Sequence, residues 1–572
     1  MNPPHLRNTT LLFILLVIIL LITAPRLVGL GQFVTLDEPN WLKFSSNFYY
    51  ALGQHQFERT VYDYHPAVTT MWMVTGALLS YFPEYRGQGQ GYFVKDWQFN
   101  EFLASFGRMP LELLVRSRLI SVLAITLLLV ATFLLGRVLI GTEAALVATL
   151  LISFDPFFLG HSRLLNHEGF LATATLASIL SLVVYLEKSR KLYLLFFSGF
   201  CAGLALLTKS SAILLIGLAG LMILGRLLGD WRERSARPSI FPYVLALLAW
   251  LGVSVAVFFL LWPGMWVNPS KMLYEVFGNA LSYAFQGSRL SVTGGIEPSH
   301  FSLDSSDIHY YFNVLLWGVT PLVWLGFLLA WLGFFLPGNA RSEPLARKLT
   351  AYLSLLAILF VLLFSIARGR DAAHYILTSF VCLDFVAGIG LVTGVRWLGG
   401  RFRLLAKRSI RYCLLLGVLL LYALNSLPYY PYYYTYASPL ARVLQPDKRH
   451  PNISYGEGLE LAAAYLAQKP NAGELTVLSY NGIGPFSYFF SGETHILIRD
   501  DRFSLEELQE LKEADYLVIY SVEQKPRDGS TALLSALESI PPEKTIWIDG
   551  VKYASIYAID QFPESLFTAI SG

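Results

Sequence analysis

Eleven apolar segments of roughly membrane-spanning length occupy the first three quarters of this chain, and they limit what it can fold into. A helix that crosses the hydrocarbon core of a bilayer needs about 20 mostly apolar residues. Only 15% of the 572 residues are charged and 55% are hydrophobic, whereas soluble domains are about a quarter charged. We therefore predict an α-helical polytopic membrane protein with about 11 transmembrane helices, and we exclude a soluble enzyme, a collagen-like fibre and a disordered chain. The segments are 10–30, 115–136, 143–158, 169–187, 192–208, 211–229, 240–262, 311–336, 350–367, 374–396 and 411–428.

The short turns between these segments differ in their content of lysine and arginine. With a cytoplasmic N-terminus, every inner turn is basic, and the richest extends from Arg396 to Arg411. The short outer turns hold only Arg163, Lys209, Arg368 and Arg370. Because cytoplasmic loops are enriched in these residues, we predict a multi-pass protein of the cell (plasma or inner) membrane. Its large loops and its C-terminal domain then lie outside the cytoplasm.

The organisation that we predict is a transmembrane module, 1–428, followed by an outward-facing soluble α/β domain, 429–572. The module has two large outer loops, 31–114 and 263–310, and the semi-apolar stretch 66–82 is typical of an interfacial helix. The C-terminal domain alternates helical and strand-like patterns. Helices are expected at 456–468, 504–513 and 530–539, and strands at 474–480, 495–499, 515–520 and as a pair near 544–559.

Ionisable residues gather at the predicted outer ends of the helices. Such groups are costly at membrane depth, so their grouping on one side predicts a shared cavity near the outer headgroups. The alternative is that they reach to the headgroups or cap helix ends. The clusters are Asp37 and Glu38; Asp155, His161, Arg163, His167 and Glu168; Lys209; and Arg368, Arg370, Asp371 and His374.

Two kinds of chemistry fit these residues. Asp37 and Glu38 precede Pro39, which favours an extended or turn segment, and a carboxylate near an apolar boundary suits a general base. The alternative is that the pair marks the start of a helix, where the positive end of the helix dipole stabilises acidic side chains. Arg163, Lys209 and Arg370 could bind a phosphate, or they could only attract anionic lipid headgroups.

Other classes of site are weakly supported or excluded. His161, His167 and Glu168 could bind a divalent metal ion, but their spacing is not distinctive. No Walker loop, dinucleotide fingerprint or Ser-His-Asp order is present. The net charge of +3 does not suggest a nucleic-acid partner. All three cysteines lie in apolar runs, so no disulfide framework is expected.

Four segments carry a family resemblance: TLDEPNW (35–41), FDPFFLGHSRLLNHEGFLATATLAS (154–178), TKSSAILL (208–215) and RGRDAAHYILTSFVCLDFVAGIGL (368–391). In order and membrane depth they resemble the GT-C glycosyltransferases. The chain is similar in particular to the protein O-mannosyltransferase and aminoarabinose-transferase-like branch, glycosyltransferase family 39. YYPYYYTYASPLA (429–441) and YGEGLELAAAYL (455–466) are similar to its bacterial members.

The resemblance implies an inverting transferase. It would move one sugar, mannose or a similar hexose or pentose, from a polyprenyl-phosphate donor to a hydroxyl of a protein, lipid or glycan acceptor at the outer face of the bilayer. Asp37 stands at the position of the presumed base, with Glu38 beside it. Glu168 stands where the family commonly has aspartate, and His65 where relatives often have lysine.

The resemblance also distributes roles among the remaining polar residues. Positions near the donor phosphate are Arg163, Lys209, Arg370, His374 and His65, and supporting positions are Asp155, His161, Glu168 and Tyr64. Aromatic residues of the first loop, such as Trp41, Tyr62 and Trp72, could stack on sugar or anchor the loop at the interface.

Two other functions use the same features. A transporter or flippase for a lipid-linked sugar would need the same basic pocket, but the sequence shows no internal repeat and no matched pair of broken helices. An outward-facing sensor would need only an anchor, for which eleven spans are excessive. Among cofactors, only a divalent metal ion stays open.

Overall fold

The computed structural model is mainly helical. It describes residues 8–63, 65–88, 91–233, 239–286, 289–290, 296–297, 306–335, 343–366, 372–402, 404–405, 407–445, 455–480, 482–497, 503–520 and 531–571. The helices up to residue 261 are α1 (Asn8–Leu27), α2 (Glu38–Gly53), α3 (Val68–Tyr81), α4 (Asp96–Ser105), α5 (Pro110–Phe154), α6 (Pro156–His161), α7 (His167–Glu187), α8 (Leu192–Thr208), α9 (Leu214–Glu233) and α10 (Phe241–Leu261).

The helices that follow range in length from 4 to 25 residues. They are α11 (Gly264–Val267), α12 (Pro269–Leu273), α13 (Asn279–Gln286), α14 (Ser306–Gly318), α15 (Pro321–Leu332), α16 (Pro344–Ile366), α17 (Leu377–Arg401), α18 (Arg408–Ser426), α19 (Pro439–Leu444), α20 (Leu459–Leu466), α21 (Leu505–Glu513), α22 (Thr531–Leu537) and α23 (Glu564–Ile570). Two short strands, β1 (Arg289–Leu290) and β2 (Ile296–Glu297), pair antiparallel. The described residues form two compact units, Met1–Val28, Ser45–Gln90 and Ser117–Asn452 in one, and Gly29–Phe44, Gly91–Arg116 and Ile453–Gly572 in the other.

Each of the eleven predicted apolar segments falls on helix, but the number of membrane-length helices is smaller. Within the described ranges eight helices are long and apolar enough to cross a membrane, or nine if the bent pair His309–Gly318 and Pro321–Leu332 is one span. Two predicted segments, 115–136 and 143–158, run together in the 45-residue α5, which breaks at Gly141 (φ 83°, ψ 163°). A third, α8, has 17 residues and falls short of the length of a full span.

Helix α7 is the most enclosed of the membrane-length helices in the described ranges, and it packs against α8 and α17. Helix α17 approaches α15 and α5 closely because glycine lies at both contacts, as is common between membrane helices. A Cβ on Gly390 of α17 would lie 1.8 Å from the carbonyl oxygen of Gly326 in α15, and one on Gly388 would lie 2.5 Å from Cα of Ala148 in α5. Larger residues at these two positions would push α17 away from its neighbours.

The two ends of α7 differ in chemistry. At the end predicted to be cytoplasmic, Glu187 forms ion pairs with Arg226 (3.0 Å) and Lys348 (2.8 Å). At the opposite end the helix begins with His167 and Glu168. A helix of 21 residues is about 30 Å long, which matches the hydrocarbon thickness of a bilayer. The basic turns and the predicted site therefore lie at opposite ends of this helix.

The stretch predicted as an interfacial helix, 66–82, is helical as α3. Its 14 residues are too few to cross a bilayer. The interfacial position itself stays a prediction, and so does the domain boundary after residue 428.

The C-terminal part contains the small α/β sheet domain that the sequence predicts. Its strands are β3 (Thr476–Ser479), β4 (Glu493–Ile496), β5 (Tyr516–Tyr520), β6 (Lys544–Ile548) and β7 (Val551–Ala558), in the order β4-β3-β5-β7-β6. β3 pairs in parallel with β4 and β5, and β7 pairs antiparallel with β5 and β6. Alternate residues face opposite sides: Val518 and Ile556 pack with α20, while Leu517 and Tyr557 pack with the layer of α21, α22 and α23.

Glu460 makes the stability of this domain sensitive to pH. Burial raises the pKa of its carboxyl from an ordinary 4.5 to about 8. Because the folded pKa is the higher one, stability is retained at low pH and falls as pH rises from about 4.5 towards 8. We expect Glu460→Gln to raise the melting temperature of the full-length protein at pH 8.5 and to have little effect at pH 5. If Glu460→Gln changed the melting temperature equally at both pH values, the result would contradict this assignment.

Candidate active site

The larger unit positions its polar residues by capping two helices in succession. Asp155 is the N-cap of α6, and its Oδ1 accepts a hydrogen bond from the Phe158 N–H at 2.7 Å. Asn166 is the N-cap of α7, and its side chain accepts from the Glu168 N–H at 2.7 Å. Side-chain caps of this kind fix where a helix begins. The turn between α6 and α7 therefore carries Arg163 into the interior and starts α7 at His167.

Lys209 is the best-defined cation of this region. It follows the last residue of α8, it is buried, and its ammonium forms an ion pair with Glu168. The same ammonium lies 3.9 Å from the ring centroid of Tyr375. Nε2 of His167 is 3.6 Å from the Glu168 carboxylate, and the His167 ring lies 5.1 Å from that of His65. A buried lysine with one carboxylate and a π-face beside it keeps its charge in an apolar setting.

His65 reaches this cluster because the loop that carries it is hydrogen-bonded to the end of α8. The Ala67 N–H donates to the Thr208 carbonyl oxygen at 3.1 Å. The Thr69 and Thr208 hydroxyl oxygens are 2.8 Å apart. Two contacts thus attach the start of α3 beside Lys209.

Histidine and tyrosine rings continue from Lys209 towards α6. Tyr375 packs edge-on against His374 with 4.8 Å between ring centroids. His374 lies 5.8 Å from His161, which lies 5.4 Å from Tyr434. His161 donates its Nδ1–H to the Phe157 carbonyl oxygen at 2.8 Å. Burial lowers the pKa of His161 to about 4, so this imidazole is neutral near pH 7.

Arg163 ends this row of contacts. Its guanidinium donates to the Val28 carbonyl oxygen and lies 5.3 and 5.4 Å from the rings of Tyr430 and Tyr433. Cation–π contacts hold a guanidinium plane without neutralising it. We call the connected set the basic row; it consists of Arg163, Tyr433, Tyr434, His161, His374, Tyr375, Lys209, Glu168, His167 and His65.

The basic row has the chemistry of an anion site. It contains four of the five positions that the resemblance assigns to the donor phosphate, namely Arg163, Lys209, His374 and His65. A guanidinium and an ammonium recognise phosphate oxygens by charge-assisted hydrogen bonds. Asp155 lies next to the row as the N-cap of α6.

The acidic pair belongs to the smaller unit, and its two members differ. Glu38 is buried, and its Oε2 accepts from the N–H and the hydroxyl of Thr35 at 2.8 and 2.9 Å. Asp37 is exposed at the start of α2, where its carbonyl oxygen accepts from the Trp41 N–H at 3.1 Å. Glu38 therefore stabilises the turn through its hydrogen bonds, whereas Asp37 lies at the surface of its unit.

Several predicted residues are not part of this geometry. Tyr64 and Arg370 lie outside the described residues, as do Arg368 and Asp371. Among the described residues, no group of three or more His, Cys, Asp or Glu side chains is arranged to hold a metal ion. Of the weak metal candidates, His167 lies against Glu168, and Glu168 forms the ion pair with Lys209.

Sequence reasoning missed Arg26, which is buried near Arg163. Its Nε donates to the Ser162 hydroxyl at 2.8 Å, and its NH2 donates to the Ser153 carbonyl oxygen at 3.2 Å. An arginine directly after Pro25 in an apolar run is the signal that could have identified it. The tyrosine-rich band that follows α18 has the composition of an interfacial belt, yet Tyr433 and Tyr434 are buried beside cations and histidines.

Comparison with known proteins gives one family match. Residues 111–262 match the family model described as dolichyl-phosphate-mannose-protein mannosyltransferase. These residues contain α6, α7, α8 and Lys209, and they include half of the basic row. None of the curated proteins matches this chain significantly.

Solved structures share weaker similarity. ArnT from Cupriavidus metallidurans bound to undecaprenyl phosphate is 15% identical with a TM-score of 0.46, covering 96% of this chain and 98% of that one. The oligosaccharyltransferase of Archaeoglobus fulgidus in its apo form is 13% identical with a TM-score of 0.45 over 94% and 72%. The S. cerevisiae Pmt1-Pmt2 complex bound to the sugar donor is 20% identical with a TM-score of 0.34 over 45% and 34%.

The family match covers the part of the chain in which buried cations line the ends of α6, α7 and α8. The membrane-length helices and the C-terminal sheet domain agree with the architecture that the sequence predicts. Over residues 111–262 the chain is similar to the family of dolichyl-phosphate-mannose-protein mannosyltransferases.

Proposed function

We propose that this protein transfers one sugar from a polyprenyl-phosphate donor to an acceptor hydroxyl, with inversion at the anomeric carbon. The observation that carries the proposal is the basic row, in which buried Arg163 contacts Tyr433, and Tyr434, the next residue, leads through ring contacts to buried Lys209. The similarity of residues 111–262 to mannosyltransferases supports the same donor class. Mannose or a similar hexose or pentose is the sugar, and a protein, lipid or glycan supplies the hydroxyl.

The reaction is a single displacement. The acceptor oxygen forms a bond to the anomeric carbon while the bond from that carbon to the phosphate oxygen breaks, and the bonding pair leaves with the polyprenyl phosphate. Asp37 takes the proton of the acceptor hydroxyl. No covalent sugar–enzyme intermediate forms, so the configuration inverts, as in inverting glycosidases that use one carboxylate as a base.

The cations act on the leaving group. A phosphodiester with one negative charge becomes a phosphomonoester whose charge grows towards two. Arg163 and Lys209 stabilise this added charge in surroundings of low polarity, where preorganised charges are most effective. Neutral His161 leaves the positive charge concentrated on these two side chains. His374 and His65 orient the phosphate by hydrogen bonds.

The orientation of the protein in the membrane is part of the proposal. The basic turns near Glu187 face the cytoplasm, and the basic row faces the opposite side of the cell membrane. Separation of the two sets along the 21 residues of α7 supports this arrangement. A cysteine at the exposed position Lys188 should then react with a membrane-impermeant reagent only from the cytoplasmic side.

Arg163→Ala should weaken the binding of polyprenyl phosphate about 10- to 100-fold. The expected size corresponds to the loss of one hydrogen-bonded charge contact of about 1.5 to 3 kcal/mol. The measurement is equilibrium binding of a labelled polyprenyl monophosphate to the purified protein in detergent or nanodiscs.

Arg396→Ala is the matched control for that measurement. Arg396 also forms an ion pair, with Glu143 at 2.9 Å, but both residues belong to the basic ends of the helices. It should bind the lipid phosphate with unchanged affinity. Equal affinity for the Arg163 variant and the wild type would remove Arg163 from the phosphate site.

A further inference from the structure

The loop that carries Asp37 is held on both sides by the C-terminal domain, within the smaller compact unit. On the N-terminal side, the Leu36 N–H donates to the Tyr455 carbonyl oxygen at 3.2 Å. This hydrogen bond fixes the main chain one residue before Asp37. The position of the Asp37 backbone therefore depends in part on this contact with the C-terminal domain.

Tyr455 is in turn fixed by a buried carboxylate. Glu457 is buried, and its Oε2 accepts from the Tyr455 N–H at 2.9 Å and from the Tyr520 hydroxyl. The Tyr520 oxygen accepts from the Gly456 N–H at 3.1 Å. Tyr520 is the last residue of β5, so these bonds tie segment 455–457 to the central strand of the sheet. A buried carboxylate is tolerated only with such partners.

On the other side of Asp37, Pro39 contacts Gly484. A Cβ built on Gly484 would lie 2.2 Å from Pro39 Cγ, 3.3 Å from Cδ and 3.5 Å from Cβ. Gly484 also has φ +93°, a conformation that favours glycine. The chain therefore leaves no room for a side chain at residue 484 while the proline ring stays where it is.

We propose that segment 455–457 and Gly484 form a clamp on the Asp37 loop, and that Glu457, Tyr520 and Gly484 are positioning residues for the transfer reaction. The inference rests on the proposed function, because it assumes that Asp37 is the base and that the C-terminal domain positions it. A shift of about 1 Å in a reacting group costs up to 100-fold in rate. The clamp therefore acts on kcat and not on donor affinity.

Gly484→Ala is the first test. We expect kcat to fall about tenfold or more, with donor affinity unchanged, because the new methyl group pushes Pro39 and the loop aside. Gly550→Ala is the matched control: Gly550 has φ +77° and no atom within 4 Å of the place that its methyl group would take, so it shares the backbone strain without touching the loop. Equal losses of kcat in both variants would overturn the clamp.

A second substitution provides the rescue. Pro39→Ala removes Cγ and Cδ, and the nearest remaining side-chain atom of residue 39 would then lie 3.5 Å from the methyl group of residue 484, an ordinary contact. The double variant Gly484→Ala/Pro39→Ala should recover more than half of the kcat that Gly484→Ala loses, relative to Pro39→Ala alone. Absence of recovery would show that Gly484 acts only through folding.

Amide hydrogen exchange separates the clamp from the reaction itself. Glu457→Gln and Tyr520→Phe should each speed the exchange of the Leu36 N–H in the full-length protein, while Gly550→Ala should not. If the wild type transfers no sugar but Leu36 exchange responds as expected, the proposed function is wrong and the clamp stands. If sugar is transferred and Leu36 exchange is unchanged in both variants, the clamp is wrong and the function stands.

Discussion

Asp37→Asn should lower the rate of sugar transfer by about 10²- to 10⁴-fold, the contribution expected of a general base. The amide has nearly the same size as the carboxylate but cannot accept the proton of the acceptor hydroxyl. Donor binding should be unchanged, because the phosphate is bound by the basic row. The measurement is single-turnover transfer from a saturating polyprenyl-phosphate sugar, together with the dissociation constant of polyprenyl phosphate.

The control is Asp560→Asn, which changes an exposed carboxylate of the same compact unit and should keep the wild-type rate. A transfer rate in Asp37→Asn equal to that of the wild type would refute the base assignment. Glu38→Gln has a different expected result. Because Glu38 accepts two hydrogen bonds from Thr35, its loss should disturb the turn and lower both the rate and the melting temperature.

The pair of Lys209 and Glu168 should show the largest effect on stability. Either Lys209→Met or Glu168→Gln leaves one member of a buried ion pair without its partner. The expected loss in free energy of unfolding is about 3 to 5 kcal/mol for each single variant. The double variant should lose less free energy of unfolding than the two single variants lose together, because no buried charge remains uncompensated.

The same three variants should differ in their affinity for the donor, in a pattern unlike that of their stabilities. Lys209→Met and the double variant should each bind polyprenyl phosphate about tenfold or more weakly, whereas Glu168→Gln keeps the ammonium and should retain affinity. The measurements are the denaturation midpoint and lipid-phosphate binding on the same preparations. Additive stability losses, or equal donor affinity in all three variants, would contradict the role of Lys209.

Much of the fold follows from local pattern. Spans such as 169–187 and 240–262 are long apolar runs, and the structure has α7 and α10 there. All the elements predicted between 456 and 559 are present within a few residues, because capping signals such as Ser504 with Glu507 mark helix starts in the sequence itself. The number of spans was harder to predict, since only the backbone conformation at Gly141 divides the continuous apolar stretch of α5.

The site was predictable in its residue types but not in its contacts. An isolated lysine after an apolar run, Lys209, could be recognised as costly and hence informative. Its partner could not, because Glu168 is 41 residues away in sequence. Tyr434, which is buried, and Tyr375, which is half-buried, are of a residue type common at membrane interfaces. Only tertiary packing distinguishes a tyrosine of the site from an interfacial one. The same holds for Gly484 and Pro39, whose contact joins distant parts of the chain.

The central claim is tested most directly by the fate of a defined donor. Purified protein in lipid vesicles is supplied with polyprenyl-phosphate-linked mannose, glucose and aminoarabinose in separate reactions with an acceptor extract. Mass spectrometry then follows the release of polyprenyl monophosphate, and NMR assigns the anomeric configuration of the product. We expect at least one donor to be consumed, with a product of inverted configuration, and no consumption by the Asp37→Asn protein. Retention of configuration, or wild-type protein that binds polyprenyl phosphate and consumes none of the donors while moving them across the vesicle membrane, would contradict the account.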